Sequence, residues 1–296
     1  MEKIYLSDSG PKVSPAVYGF YDWSGSDLNE KKMESIVNLC LDLGINTFDH
    51  ADTYGGYACE ELFGNIIRRK AVKREDLVLF TKAGVNLPHP SRPDIRIAHF
   101  DTSRDHITNS VENSLKKLNT DYIDVFLLNQ LDPLSNLEET AVTLERLKES
   151  GKIRNIGVVN FSVFQHQLLS SFLRSPIVTN HIELNLLNTA ALDNGQLDYV
   201  KQKYMRPLAT SPLASGRIAD SNEKTPLRVR ATLEAIGARY NANFESVAIA
   251  WLVKLGALPL IGTSNEQRIR NIVNGLHLNL DRQDWYQLLA ASKGDS

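Results

Sequence analysis

The sequence predicts a (β/α)8 barrel, an α/β fold in which eight parallel strands alternate with helices around one closed sheet. Eight short β-rich runs alternate with stretches of helical period from one end of the chain to the other. Strict alternation indicates parallel strands joined by right-handed crossovers. No linker rich in proline, glycine or serine divides the 296 residues, and barrels often use this length as one domain. We therefore expect a single barrel domain over residues 1–296.

Each predicted strand is a short run of β-branched, aromatic or other apolar residues, and apolar residues at helical spacing follow it. Strands are predicted at residues 16–20, 45–50, 77–82, 123–129, 153–160, 177–184, 206–211 and 258–264. Helices are predicted at residues 29–43, 58–69, 104–118, 137–150, 162–173, 192–204, 226–240, 244–255 and 266–273.

Two strand runs, residues 78–80 and 125–128, are continuously apolar. Such runs are typical of strands covered by helices on one face and by a packed interior on the other. The alternative parallel fold is a doubly wound sheet, which a G-x-G-x-x-G turn after the first strand would favour. That motif is absent from the sequence, so the barrel is the preferred prediction.

The charge balance excludes several classes of partner. The chain has 33 Lys and Arg against 35 Asp and Glu, for a net charge of -2 and a pI near 6.4. Nucleic acids and membrane surfaces are bound by concentrated basic faces, so we expect no nucleic-acid or membrane partner. We expect the protein to be a monomer or a small homo-oligomer. The two cysteines form no CxxC pair or disulfide framework, and the first residues include no apolar leader. We therefore expect a cytoplasmic protein.

The stretch 46–55, NTFDHADTYG, carries the candidate chemistry. Asp49 and Tyr54 follow a short apolar strand, and Lys82 ends the next predicted strand. A free phenol has a pKa of about 10, and lowering it by about three units takes roughly 4 kcal/mol, which one desolvated ammonium supplies. We therefore expect Lys82 to lower the pKa of Tyr54, with Asp49 holding the lysine charged. A structural Asp–Lys pair is the plain alternative.

In a barrel, the carboxyl ends of all strands open at one mouth. The alternation of side chains along a strand predicts that Asp49 faces inward and His50 packs outward against the helices. Polar residues that end predicted strands, and so are expected to converge at the mouth, are Asp49, Lys82, Asn129, Asn160, His181, Ser211 and Thr263.

Several separate motifs, collinear over nearly the whole chain, resemble the aldo-keto reductase family, particularly its bacterial branch. They are FDHADTYG at 48–55, FTKAG at 80–84, DYIDVFLL at 121–128, SGKIRNIGV at 150–158, SPLASGR at 211–217 and PLIGTS at 259–264. The resemblance implies a (β/α)8 barrel, which agrees with the strand count. It also implies reduction of a small-molecule aldehyde or ketone by hydride transfer from NADPH (NADP).

Positions matched one by one imply that Tyr54 is the general acid and that Lys82 and Asp49 set its pKa. The resemblance places the nicotinamide near Asn160 and His181. It places the pyrophosphate near Ser211, Leu213 and Arg217, and the adenosine phosphate near Ser264 and Arg268. Gly262 and Thr263 are also expected to bind the cofactor.

The chain departs from the family pattern around the reacting groups. Asn129 stands where the fourth strand of the family ends in a catalytic histidine, and an amide can donate a hydrogen bond but cannot titrate. Val159 replaces a usual serine, His181 a usual glutamine, Thr210 a stacking aromatic residue and Asn265 a lysine. These changes fall mostly on the nicotinamide and the carbonyl. His181 is a candidate substitute proton donor, against the plainer reading of a polar residue in the mouth.

Three functions follow from these residues. The first is an NADPH-dependent carbonyl reductase with Asn129 in its altered catalytic set. The second is a catalytically impaired NADP(H)-binding redox sensor. The third is an unrelated barrel lyase or isomerase using Lys82 as a Schiff base. Metal-site and other nucleophile motifs are absent from the sequence. The substrate is expected to depend on two long connections, residues 83–101 and 212–225.

Overall fold

The computed structural model describes residues 1–294. The predicted barrel strands are all present, most of them shorter at their ends than the sequence indicates. The strands are β1 (Ile4–Tyr5), β2 (Lys12–Val13), β3 (Val17–Gly19), β4 (Thr47–Asp49), β5 (Val78–Ala83), β6 (Val85–Asn86), β7 (His99–Phe100), β8 (Val125–Asn129), β9 (Ile156–Val159), β10 (Ile177–Glu183), β11 (Leu208–Thr210) and β12 (Leu258–Ile261).

Eight of these strands close into a parallel barrel, in the order β10-β11-β12-β3-β4-β5-β8-β9. The predicted (β/α)8 fold is therefore confirmed. Register brings the strand ends together: Asp49 pairs with Phe80, and Asn129 pairs with Val159. On the other side of β9, His181 of β10 pairs with the same Val159. The polar residues that end these strands consequently share one mouth.

Helices cover the outside of the barrel, and none within residues 1–294 is both long and apolar enough to cross a membrane. They are α1 (Glu30–Asp42), α2 (Tyr54–Tyr57), α3 (Cys59–Arg68), α4 (Arg104–Leu118), α5 (Leu137–Glu149), α6 (Val163–Phe172), α7 (Gln196–Gln202), α8 (Arg217–Asp220), α9 (Lys224–Tyr240), α10 (Phe244–Lys254), α11 (Glu266–Gly275) and α12 (Arg282–Lys293).

Most of the long helices begin at a residue whose side chain accepts a main-chain N–H of the first turn, which satisfies donors that a helix start otherwise leaves free. α6 has a full capping box between Ser162 and Gln165. The capping residues are Asn29, Ser103, Asn136, Ser162, Asn243, Asn265 and Asp281.

The barrel interior is a packed apolar core and leaves no pore. Val17, Phe80, Val125, Leu127 and Val178 come from four different strands and are at most 1% exposed. Larger apolar clusters fill the layer between strands and helices. The packed interior supports the polar mouth from below.

Two hairpins and the helices α2, α8 and α12 were not predicted from the sequence. The β1–β2 hairpin sends Leu6 and Val13 into the interior cluster. The carbonyl of Leu6 accepts the amide of Arg206, which precedes β11, so the hairpin covers the amino ends of the strands. The β6–β7 hairpin lies within the long connection after β5, and α12 packs against α9.

Candidate active site

The turn after β4 aims Tyr54 into the barrel mouth. Tyr54 begins the short helix α2, and Gly55 and Gly56 follow it with φ angles of 60° and 62°. A Cβ atom at Gly55 would lie 2.6 Å from both Cys59 Sγ and Leu28 Cδ2. Glycine is required there because the backbone is left-handed and the neighbouring atoms leave no room.

Lys82 and Asp49 form a buried ion pair at the base of the mouth. Lys82 Nζ donates to Asp49 Oδ2 at 2.5 Å and to the His50 carbonyl at 2.9 Å. The lysine side chain is 4% exposed and the aspartate 0%. Burial raises the pKa of Asp49, while Lys82 and then Tyr54 oppose the rise. Burial lowers the pKa of Lys82, and Asp49 opposes that, so each group favours the charge of the other.

Tyr54 lies beside this pair and partly exposed in the mouth. Lys82 Nζ is 4.7 Å from the centroid of its ring, and the Tyr21 ring meets it edge-on at 5.6 Å. Burial, followed by the negative charge of Asp49, raises the pKa of Tyr54 well above its usual value. The prediction that Lys82 makes this phenol acidic is therefore wrong for this structure. Asp49 holds the ammonium and also disfavours the phenolate.

His50 points away from the mouth, as the alternation along β4 predicts. Its ring stacks on Phe20 at 4.5 Å and meets Phe63 edge-on at 4.6 Å. Burial lowers the pKa of His50 to about 3. The residue is a neutral part of the layer between strands and helices.

His181 is fully buried at the opposite side of the mouth. Nδ1 lies 3.9 Å from Asp49 Oδ1, and neither ring nitrogen has a hydrogen-bond partner among the described residues. Burial, then the charge of Lys82, lowers the pKa of His181 well below its usual value. The imidazole is neutral at physiological pH and carries one N–H donor and one acceptor.

Three strands are followed or ended by non-glycine residues in the left-handed region: Gln130 (φ 72°), Asn160 (φ 54°) and Ser211 (φ 48°). This backbone conformation is disfavoured for ordinary residues and clusters at functional sites. All three line the groove described next. Asn160 Oδ1 also accepts the amide of Glu183, which fixes its side chain.

A groove of about 1080 Å³ opens from the mouth across the ends of the strands. Two predicted site residues do not line it. Asp49 lies beneath Lys82, and Arg217 pairs with Glu223 at 3.1 Å instead of lining the groove. The predicted residues that the groove does bring together are Tyr54, Lys82, Asn129, Asn160, His181, Ser211, Leu213, Gly262, Thr263, Ser264 and Arg268.

One end of the groove has the features of an anion site. Ser211, Ala214, Ser215 and Gly216 all have positive φ, and such turns gather main-chain N–H groups on a concave side. Arg268 lies in the first turn of α11, where a helix favours negative charge. Its Nε donates to Glu245 Oε1 at 2.6 Å, which holds the guanidinium in place.

Two carboxylates near this end were not predicted from the sequence, because they come from distant parts of the chain. Asp27 accepts the Ser264 hydroxyl at 2.8 Å. Asp22 Oδ2 lies over Gly262, where a Cβ would approach within 3.0 Å. Burial raises the pKa of Asp22, and Arg268 opposes the rise. No motif in the sequence marks either residue.

The groove fits a nicotinamide dinucleotide by size and by chemistry. Its volume exceeds that of typical small-ligand pockets. His181 provides buried ring nitrogens that have no partner within residues 1–294, and the far end provides hydroxyls and a guanidinium for phosphate. Asn265, which stands where the family pattern has a lysine, accepts the main-chain N–H of Arg268 through its side-chain oxygen and so caps α11. Within residues 1–294 no cluster of acidic, histidine or cysteine side chains is arranged to hold a metal ion.

Comparison with known proteins places these features in a family. A sequence model of the aldo/keto reductase family matches residues 16–293. The chain is 38% identical over 297 residues to an uncharacterized oxidoreductase, YcsN, of Bacillus subtilis (strain 168), with 99% of each protein covered. It is 36% identical over 297 residues to a 6-dehydroglucose reductase of Agrobacterium fabrum, again with 99% of each covered.

A solved structure shares the fold. The thermostable aldo-keto reductase Tm1743, crystallised with the inhibitor epalrestat, superposes with a TM-score of 0.84 at 24% identity. The match covers 98% of this chain and 100% of that one. The barrel and its helices are therefore common to both proteins.

Proposed function

Because this chain belongs to the aldo/keto reductase family and is an oxidoreductase, we propose that it reduces small-molecule aldehydes or ketones with NADPH, acting on the CH–OH/C=O couple. The observation that supports this proposal most strongly is that Tyr54 and Lys82, with Asp49 beneath the lysine, meet in a groove of about 1080 Å³. Two buried free thiols, Cys40 and Cys59, suit a cytoplasmic setting.

When bound in the groove, NADPH would supply the hydride that the carbonyl carbon receives, becoming NADP. Tyr54 donates its hydroxyl proton to the carbonyl oxygen, so hydride and proton together give the alcohol. The phenol is protonated at neutral pH, as a general acid must be. The Lys82 ammonium, 4.7 Å from the ring, stabilises the phenolate left behind. Asp49 holds that ammonium in place.

Asn129 is proposed to bind the carbonyl oxygen through its side-chain amide. It ends β8, the strand that pairs with the Lys82 strand β5, and is partly exposed in the groove. An amide donor polarises the carbonyl and positions it, but it cannot share the transferred proton as a histidine can. We therefore expect reduction that is slower than a histidine at this position allows.

The proposed orientation of the cofactor follows the polarity of the groove. Asn160 and His181 are assigned to the nicotinamide end. The turn from Ser211 to Gly216, which includes Leu213, is assigned to the pyrophosphate because of its positive φ angles. Thr263, Ser264 and Arg268, with Gly262 allowing close approach, are assigned to the adenosine end. Arg268 binds Glu245 through Nε, which leaves its terminal nitrogens to carry the preference for a 2'-phosphate.

A small polar carbonyl compound is the proposed substrate class. The wall next to Tyr54 includes His89, Asn129 and Gln130 as well as the apolar Val85 and Leu87. Amide and imidazole groups can both donate and accept hydrogen bonds, which suits hydroxyl-bearing substrates. Two relatives named 6-dehydroglucose reductase, at 36% and 31% identity, support a sugar aldehyde.

The test has a binding step and a turnover step. Calorimetric titration with NADPH and NADH should show micromolar or tighter binding of NADPH. The absorbance of NADPH is then followed with a panel of activated aldehydes, simple ketones and 6-dehydroglucose. Falling absorbance with one or more carbonyl compounds supports the proposal. Tight binding without turnover of the whole panel contradicts it and favours the cofactor-binding sensor instead.

A further inference from the structure

Two polar groups face each other in the barrel interior without hydrogen-bond partners. Asp49 Oδ1 and both ring nitrogens of His181 are buried and unpartnered within the described chain. The other carboxylate oxygen, Oδ2, already accepts from Lys82 at 2.5 Å. Buried polar atoms rarely remain without partners, and exceptions concentrate where a site changes on ligand binding or during a reaction.

The gap between these two groups is 3.9 Å, from His181 Nδ1 to Asp49 Oδ1. A hydrogen bond of normal length needs the two atoms to approach by about 1 Å, so forming it requires a movement of the imidazole or of the carboxylate. The ring has one aromatic neighbour, Phe80, whose centroid lies 6.2 Å away in a tilted arrangement. Among the described side chains, His181 thus brings an unpartnered ring nitrogen to 3.9 Å from the Asp49 oxygen that Lys82 does not use.

We propose that His181 is a positioning residue that acts through Asp49. In this arrangement Nδ1–H donates to Asp49 Oδ1, so the carboxylate is held by an imidazole on one side and by the Lys82 ammonium on the other. Asp49 in turn fixes the imidazole in the form that carries its proton on Nδ1 and leaves Nε2 unprotonated. The effect of Asp49 on the protonation of the His181 ring depends only on the fold. The kinetic effect of His181 rests on the reductase function proposed above.

The charged and titratable groups around Asp49 are few. Lys82 approaches it from β5, Tyr54 from the turn after β4 and His181 from β10. Asp52 and Glu60 act on Lys82 from its other side. Without the imidazole donor, Asp49 keeps a buried oxygen with no partner, which favours its protonated form. A protonated Asp49 no longer holds the lysine charged beside Tyr54.

A spectroscopic test reads the imidazole directly and does not depend on turnover. The intact protein is labelled with ¹⁵N-histidine, and the His181 signals are identified by their loss in His181→Gln. The proposal predicts a neutral ring with Nδ1 protonated and Nε2 unprotonated from about pH 6 to 8. His50 is the internal comparison, because it is equally buried but faces aromatic rings. A His181 ring protonated on Nε2, or on both nitrogens, overturns the proposal.

A kinetic test compares two replacements of similar size. Glutamine at position 181 can donate an N–H to Asp49, and leucine cannot. His181→Gln should keep the acid limb of the pH profile of kcat within a few tenths of a unit of the unaltered protein, whereas His181→Leu should move it upward by about one unit. Equal profiles in all three proteins contradict the role through Asp49. If the unaltered chain shows no turnover, the reductase function fails and the spectroscopic result alone decides.

Discussion

Lys82 and Asp49 are 33 positions apart in the sequence, and their Nζ and Oδ2 atoms lie 2.5 Å apart in the barrel. The side chains are 4% and 0% exposed, so water screens the pair weakly. Parallel pairing of β4 with β5 brings them together. The pair is both a feature of the fold and the base of the proposed active site.

Breaking this pair should destabilise the protein more than removing it. Lys82→Met leaves Asp49 buried without its counter-charge, and we expect the free energy of unfolding to fall by about 3 kcal/mol. The double variant Asp49→Asn/Lys82→Met should lose less free energy of unfolding than the two single variants lose in sum, because the double variant leaves no buried charge unpaired. Urea unfolding followed by circular dichroism measures all four proteins. Strictly additive losses would show that the pair is not coupled.

Tyr54→Phe should reduce turnover by at least about 100-fold, because it removes the proton donor and keeps the ring. NADPH binding and the unfolding midpoint should change little. The matched control is Tyr21→Phe, since Tyr21 packs edge-on against Tyr54 but is 66% exposed at the rim. Turnover is followed by NADPH absorbance. Similar rates for Tyr54→Phe and Tyr21→Phe would remove Tyr54 from its assigned role.

Asn129→His should raise kcat by about tenfold, because an imidazole both donates to the carbonyl and shares the proton. A second change, Thr210→Tyr, adds an aromatic ring at a position that lines the groove and should lower the Kd for NADPH by about fivefold, since stacking contributes roughly 1 kcal/mol. Steady-state kinetics and calorimetry separate the two effects. A kcat unchanged by Asn129→His would mean that the carbonyl does not lie against this residue.

Arg268→Ala should weaken NADPH binding by at least about tenfold and NADH binding by less than threefold, because only NADPH carries the 2'-phosphate. Arg270→Ala is the control, since Arg270 lies exposed on the same helix. Calorimetric titration of both cofactors gives the four ratios. Equal weakening of NADPH and NADH by Arg268→Ala would assign this arginine a general role in place of phosphate selection.

Asp52 should make the protein less stable as the pH rises. Burial, followed by the nearby charge of Glu60, raises the pKa of Asp52 to about 7, whereas an aspartate in an unfolded chain titrates near 3.9. The folded state therefore binds this proton more tightly. Its contribution to stability is complete below about pH 4 and is lost as the pH rises to about 7.

Asp52→Asn removes that dependence. Between about pH 4.5 and 7.5, the free energy of unfolding should fall by less in the variant than in the unaltered protein, by on the order of 2 kcal/mol. Urea unfolding at the two pH values measures the difference. Asp94→Asn, at an exposed position, should leave the pH dependence as it is. Identical pH dependence with and without Asp52 contradicts its raised pKa.

The fold was predictable because its evidence is repeated along the chain. Each barrel strand is an apolar run followed by a helix, so an error at one element does not disturb the pattern. The two-residue strands β1, β2, β6 and β7 are too short to show a period. Their pairing depends on contacts across the fold, such as that between Leu6 and the chain before β11.

The sequence predicts which site residues meet, because they follow from the convergence of strand ends. It does not predict the pKa values of those residues, because these depend on burial. Asp49, Lys82 and Tyr54 meet as expected, since all three follow from the barrel and the alternation along its strands. The direction of the Tyr54 pKa was not foreseen, because it depends on desolvation and on how near Asp49 lies. The bonds of Ser264 to Asp27 and of Arg268 to Glu245 join distant segments. No local pattern encodes them.

Transfer of deuterium from NADPH labelled at its reactive carbon tests the central claim most directly. The purified protein is incubated with labelled NADPH and an activated aldehyde, and the alcohol is analysed by mass spectrometry. The account predicts one deuterium on the former carbonyl carbon, formed at least about 100-fold more slowly by Tyr54→Phe. NADPH bound in the groove with no deuterium in the alcohol, or transfer unaffected by the loss of the Tyr54 hydroxyl, would contradict it.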